Sequence, residues 1–334
     1  MAGKTVHNVR FALSALVCAL LTGCATTAAP EPAVMASAPP SSVMPPPADP
    51  ARVAANELGL VPVLMYHQVL PVPVGEYDQT AVEFRAELDR LYREGYRPVT
   101  AADYIAGRID IPAGTHPVVL TFDDSTVSQF AFTADGKPSP DCAIGILEEF
   151  GAQHPDFRAT ATLYVNNQPF DTGVRALAWL SEHGYEIGAH TANHAALAGL
   201  DRTGVQRELA GNVRLIESSG ARVHTMALPF GIAPSDRALA TAGSWDGITY
   251  SFDAVMLVGA GPAPSPFGGI DSAAVPRIRS GRGDVDFDSA YWLDRLAERP
   301  DQRYTSDGDP ARISFPAALT AELTAAWAGR ANPY

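Results

Sequence analysis

From Leu58 onward the chain repeats one arrangement, a short apolar run of strand length followed by a stretch whose apolar residues recur at helical spacing. Residues 60–66 read as the first strand, and residues 81–94 as a helix whose apolar face is Phe84, Leu88 and Leu91. Further buried strands are expected at 117–122, 159–165, 185–189, 225–228, 247–252 and 255–258, with helices at 144–150, 174–183 and 203–218. Strands separated by helices of this length need crossover connections, which give an α/β fold with parallel strands. About seven such units in roughly 230 residues suit a distorted, seven-stranded (β/α) barrel, whose chemistry belongs at the strand C-terminal ends.

The N-terminal region obeys different rules. Lys4 and Arg10, an apolar run at 11–21 and then Leu21-Thr22-Gly23-Cys24 have the shape of a secretory signal, too short to span a membrane permanently. The last four residues resemble the bacterial lipobox, which implies a lipoprotein signal peptide at 1–23 and lipidation of Cys24. Residues 24–56 form an Ala/Pro/Ser-rich tether, in which eight prolines from Pro30 to Pro50 prevent a helix. In polyproline II geometry, about 3.1 Å per residue, it reaches roughly 100 Å. Residues 57–283 are then the main folded domain and 284–334 a C-terminal extension with a short helix at 316–328. The expected location is the cell envelope, lipid-anchored, and Ala25 resembles a sorting pattern that favours the periplasmic face of the outer membrane.

The net charge is −13, and removal of 1–23 leaves 22 basic against 37 acidic residues, or −15. That disfavours nucleic acid as a partner and favours hydrogen bonding and stacking to a neutral or amine-bearing glycan. Of three cysteines only Cys142 stays unmodified in the folded part, so no intrachain disulfide forms. Asp141 beside it raises the thiol pKa, which makes a buried structural Cys the better reading than a nucleophile.

Two carboxylates end an apolar strand at Asp123-Asp124, where burying both without a cation or donors costs several kcal/mol. Another strand ends in His190-Thr191-Ala192-Asn193-His194, and a four-residue step puts both imidazoles on one side of a helical turn. Either pair alone reads equally as a cap, a turn or a surface face. Together at one rim they make a metal site with open positions the better reading.

These residues resemble carbohydrate esterase family 4, the polysaccharide deacetylases. The resemblance spans about residues 60–281 and rests on Thr121-Phe122-Asp123-Asp124, on His190 to His194 and on Leu228-Pro229-Phe230-Gly231; Val63 to His67 and Pro276-Arg277-Ile278 resemble one branch. It implies a metal-dependent hydrolase with Asp123 as general base and Asp124, His190 and His194 as ligands of a divalent metal. Zinc is favoured, and the same ligands accept cobalt, nickel or manganese. A backbone N–H at Phe230 or Gly231 would hold the oxyanion.

Two departures stand out. Ala227 occupies the place where many members have an Arg that orients the base, which leaves the orientation of Asp123 without an assigned residue. No His follows His224 to act as the late general acid, and His67, at the end of the first strand, is the candidate in its place. Ser125 is expected to cap the next helix or touch substrate, Asn166 and Asn167 to make turns, and Trp179 to lie in the core. The function expected is removal of acetyl groups from an N-acetylated, GlcNAc-type polysaccharide. An O-acetyl polysaccharide esterase and a catalytically silent carbohydrate-binding lipoprotein are the alternatives. A glycosidase, which needs two carboxyl groups about 5 to 9.5 Å apart, leaves the histidines unused.

Overall fold

The computed structural model describes residues 48–280 and 286–334, so the expected signal peptide, Cys24 and most of the tether lie outside the described residues. Parallel strands run in the order β10 (Ile278–Arg279), β1 (Val63–Tyr66), β3 (His116–Phe122), β4 (Thr162–Val165), β5 (Glu186–Ala189), β6 (Thr225–Ala227) and β9 (Ala254–Met256). β2 (Tyr96–Val99) also pairs with β3, along the half nearer its start, while β4 pairs with its end. The ends of this path meet at the segment leading into β10: Leu257 N–H donates to Val275 O (2.9 Å), and Ile278 and Arg279 pair with β1. The architecture is the distorted (β/α) barrel expected.

Alternation along the strands explains the layers. Leu64, Leu120, Leu163, Ile187, Met226 and Val255 face outward into one apolar cluster under the helices, while Val63, Val119, Tyr164, Ala227, Ala254 and Met256 face the barrel interior. Each buried Leu, Ile, Val or Met among them contributes about 1.5–3 kcal/mol relative to exposure. The interior also holds Glu186, which accepts from Thr225 Oγ1 (2.6 Å), Thr162 Oγ1 (2.8 Å) and Ala102 N–H (2.8 Å). Gly188 makes room for Tyr164, since a Cβ there would stand 2.3 Å from the Tyr164 ring.

The outer helices follow the apolar spacing. α1 (Ala81–Arg93) buries Phe84, Leu88 and Leu91 and begins at a Thr80–Glu83 capping box. α3 (Ala143–Gln153), α4 (Val174–Glu182) and α5 (Arg202–Glu217) lie where helices were expected, and α2 (Ala101–Ile105) and α6 (Ser289–Glu298) are additional. Cys142 is buried at the start of α3, where its sulfur accepts from Gly145 N–H (3.4 Å), and burial pushes its thiol up.

Two expectations need correction. Residues 247–252 do not join the barrel: β8 (Ile248–Ser251) pairs antiparallel with β7 (Ala242–Trp245) through an Asp246-Gly247 turn, and this hairpin packs on α5. Residues 316–328 form two short 3₁₀ turns, Ala317–Glu322 and Ala325–Arg330, instead of an α-helix. The extension is continuous with the barrel. Tyr304, with Ile313 and Phe315 of β11 (Ile313–Phe315, paired with β12, Ala331–Pro333), enters the interior cluster. Ala55 and Asn56, the last residues before Glu57 at the expected domain start, are buried, and Asn56 pairs with Thr305. Among the described residues no helix is long and apolar enough to cross a membrane.

Candidate active site

The rim at the strand C-terminal ends gathers the residues singled out by pattern. Asp123 still extends the β3 ladder, its N–H donating to Tyr66 O (3.0 Å). The backbone then turns through left-handed geometry at Asp124 (φ 76°) and Ser125 (φ 52°). β5 ends at Ala189, and His190 is pinned by two bonds from its N–H, to Val165 O (3.1 Å) and Asn212 Oδ1 (3.0 Å). The His190–His194 segment is an irregular loop and not the helical turn expected, with Thr191 at φ 64° and His194 at φ 52°. Glu208 braces it through Asn193 N–H (2.9 Å) and Nδ2 (2.8 Å). Residues of ordinary bulk held at positive φ cost of order 1–3 kcal/mol each, and such strain clusters where geometry serves function.

The loop brings both imidazoles onto Asp124: its Oδ1 lies 3.3 Å from His190 Nε2 and 3.2 Å from His194 Nε2, and the three groups offer ligand atoms within 4.8 Å of one another. His190 Nδ1 faces Ala227 O at 2.8 Å and can only donate there, so in the neutral ring the lone pair sits on Nε2. Asp124 Oδ1 is buried without a hydrogen-bond partner. Lone pairs therefore face one another across a gap of ligand dimensions, an arrangement that a divalent cation resolves. Burial and the neighbouring His190 lower the pKa of His194, as a neutral ligand requires.

Asp123 is 1% exposed and held by a fork from β10's neighbour: Arg277 Nη1 and Nη2 donate to its two oxygens, both at 2.7 Å. Burial alone would raise this carboxyl, but Arg277, with His190 and His67, outweighs it and holds the group well below the usual carboxylate range. Arg277 is itself fully buried, donates to Thr121 Oγ1 (3.1 Å) and Leu257 O (2.6 Å), and lies over the Tyr164 ring at 5.5 Å. Sequence reasoning noted this residue within Pro276-Arg277-Ile278 but gave it no role. Arg277 does from just before β10 what Ala227 cannot do from β6; the available signal was a lone Arg within an otherwise apolar run, 275–278.

His67 reaches the same rim, with its Nδ1 buried and unpartnered. Burial lowers its pKa, against the raising influence of Asp123 and Asp124. Of the oxyanion pair, the Gly231 N–H is already engaged with Leu228 O (2.9 Å), a correction that leaves Phe230, whose ring packs on His194 at 4.6 Å. Ser125 caps no helix; its Oγ bonds Asn166 (3.2 Å). Asn167 accepts from Asn212 Nδ2 (3.0 Å), and Trp179 packs on Phe130.

Residues 110–245 match the sequence model of the polysaccharide deacetylase family. Over that segment the chain is similar to a polysaccharide deacetylase domain. No curated protein sequence matches the chain. Among solved structures, the chain is similar to the Streptococcus pyogenes deacetylase PplD in complex with acetate: TM-score 0.53, 18% identity, 70% of this chain and 97% of that one. A Bacillus cereus polysaccharide deacetylase is similar at TM-score 0.53 and 18% identity, over 72% of this chain and 68% of that one. At such identities the likeness is one of fold. The matched segment includes the Asp123-Asp124 and His190–His194 residues, while His67 and Arg277 fall outside it.

Proposed function

We propose that this deacetylase removes acetyl groups from an N-acetylated, GlcNAc-type envelope or extracellular polysaccharide by metal-dependent hydrolysis. The observation that carries the reading is the convergence of Asp124 Oδ1, His190 Nε2 and His194 Nε2 with lone pairs facing inward. When bound there, a divalent cation, zinc in the first place, supplies a Lewis acid and an activated water.

The chain's own groups do the rest. Asp123 stands ionised, with the Arg277 fork fixing both oxygens, and accepts the proton of the attacking water through a remaining lone pair. The backbone at Phe230 faces the carbonyl oxygen as it gains charge. His67 returns a proton to the leaving nitrogen. Because burial lowers its pKa, His67 must first gain that proton, and the acidic pair beside it favours the charged form. The same burial supports a second reading, an O-acetyl esterase, since an ester's leaving oxygen needs less help from an acid. The lipobox-like 21–24 and the proline-rich segment support anchoring at the cell envelope, with the domain held out toward the polymer.

Acetate release from N-acetylglucosamine oligomers, peptidoglycan and acetylated xylan, before and after chelation and metal return, tests both readings. Release from the amide substrates, abolished by chelation and restored by zinc, is expected. Release from xylan alone selects the esterase, and none from any substrate with metal bound leaves a silent carbohydrate-binding protein.

A further inference from the structure

A cleft of about 350 Å³ on the same rim takes no part in the chemistry above. It adjoins the site on two sides. Tyr77, on one wall, touches the His67 ring at 4.8 Å, and Val258, on the other, packs so closely on Gly231 that a Cβ there would stand 3.0 Å from Val258 Cβ. Arg279, two residues beyond the arginine that holds the base, is fixed in the cleft over the Tyr77 ring (5.5 Å) and paired with Glu76 (3.1 Å). Its volume falls within the range of small-molecule clefts, roughly 300–1,000 Å³.

Phe287 at the mouth of this cleft is doubly unfavourable as a purely structural residue. It is 61% exposed, and its backbone lies at φ 59°, a conformation that bulky side chains rarely adopt. Its ring contact is edge-on, with Tyr291 at 5.0 Å, which leaves a ring face open. Phe230 shows the same pair of features, 59% exposed at φ 59°, and it touches His194. Two exposed phenylalanines held in left-handed geometry thus stand at the metal site and at the cleft that adjoins it. An aromatic face with a polar edge suits a pyranose ring, which offers an apolar C–H face and a rim of hydroxyls. Glu76, Arg279 and Asp286 carry a net charge of −1, so an uncharged or amino sugar is accepted more readily than a uronate.

We propose that this cleft is a subsite for the sugar ring next to the one being deacetylated, with Phe287 as its stacking platform and Arg279 and Asp286 at its polar edge. The identity of the ring rests on the deacetylase reading; the existence of a sugar subsite does not. The test is calorimetric titration of the full chain, stripped of metal so that nothing turns over, with N-acetylglucosamine and with its tetramer. The tetramer is expected to bind more tightly than the monomer. Phe287→Ala should weaken the tetramer by about tenfold, ~1.4 kcal/mol, Phe287→Trp should retain it, and Val82→Ser, a change at an exposed α1 valine, should match the wild type. A tetramer affinity indifferent to Phe287→Ala overturns the subsite, even in a protein that releases acetate. Phe287-dependent binding in a protein whose metal-loaded form releases none keeps the subsite and removes the deacetylase reading.

Discussion

At the C-terminal ends of the strands, ligand atoms converge: Asp124 Oδ1 lacks a hydrogen-bond partner, as does His67 Nδ1, and Asp124, Ser125, Thr191, His194 and Phe230 are held at positive φ. At the opposite end, buried polar groups answer one another. Glu57 accepts from Ser314 N–H (2.8 Å), Ser306 Oγ (3.3 Å) and Asp307 N–H (3.4 Å), and His116 Nδ1 donates to Tyr304 O (2.8 Å). None of Glu57, His116, Asp307 and Ser314 has a positive φ. The extension closes one end of the barrel with carboxylate and imidazole groups that have partners, although Asn56 Oδ1, Tyr96 Oη and Arg303 Nε there have none, and the other end gathers ligand atoms that converge on one point. Convergent ligand atoms on a strained backbone therefore mark function here, while burial of a carboxyl group by itself does not, because both ends bury one.

The strongest way to break this contrast is at Arg277, whose guanidinium is bonded to both oxygens of Asp123, to Thr121 Oγ1 and to Leu257 O. Arg277→Met should cost about 3–5 kcal/mol in denaturant unfolding, because it strands the Asp123 charge in the interior. It should also lower acetate release by 100-fold or more. Arg277→Met combined with Asp123→Asn should recover much of the stability and none of the activity; recovery of both would deny Asp123 its role.

The floor should betray itself through pH. His116 is lowered to about 4 by burial and by Arg303, below its ordinary 6.5, so its stabilising contribution is full above pH 6.5 and is lost as pH falls toward 4. Glu57 is raised to about 8, chiefly by burial and then by Asp307, so its contribution is full below pH 4.5 and is lost as pH rises through 8. Each slope is worth up to a few kcal/mol. Glu57→Gln should therefore compare better with wild type at pH 8 than at pH 5, and His116→Gln better at pH 4 than at pH 7, in thermal or denaturant unfolding.

Asp124→Asn sharpens the same contrast from the rim side. An amide can donate to one of the two Nε2 atoms, so metal-free stability should hold or rise by about 0.5–1 kcal/mol, while zinc affinity falls at least tenfold. A loss of metal-free stability would mean that Asp124 is structural. The smallest effect is expected at Phe230→Gly, which relieves the left-handed backbone: a gain of about 0.5–1 kcal/mol in stability, with weaker substrate binding read as a higher KM.

How much was legible in the sequence follows the same division. The rim's Asp pair and His pair could be read because each sits at the end of an apolar strand, so strand pattern and chemistry coincide over a few residues. Arg277 could be seen but not assigned, since the Asp123 it holds lies 154 positions away. β2 went unread because Arg97 and Pro98 interrupt its apolar pattern; its burial comes from pairing with β3 and packing against α1. The hairpin was misplaced in the barrel although Asp246-Gly247 is a two-residue turn signal. The floor was illegible for a polymer reason: Glu57 and Ser314 are 257 positions apart, and neither carries a local pattern that names the other.

The most direct test of the metal-centred account is zinc titration of the metal-stripped protein alongside its acetate release, for wild type and His190→Ala. One zinc ion per chain, with activity appearing as that ion binds and neither effect in His190→Ala, is the predicted result. Acetate release that persists undiminished in the stripped protein, or in His190→Ala, would contradict it.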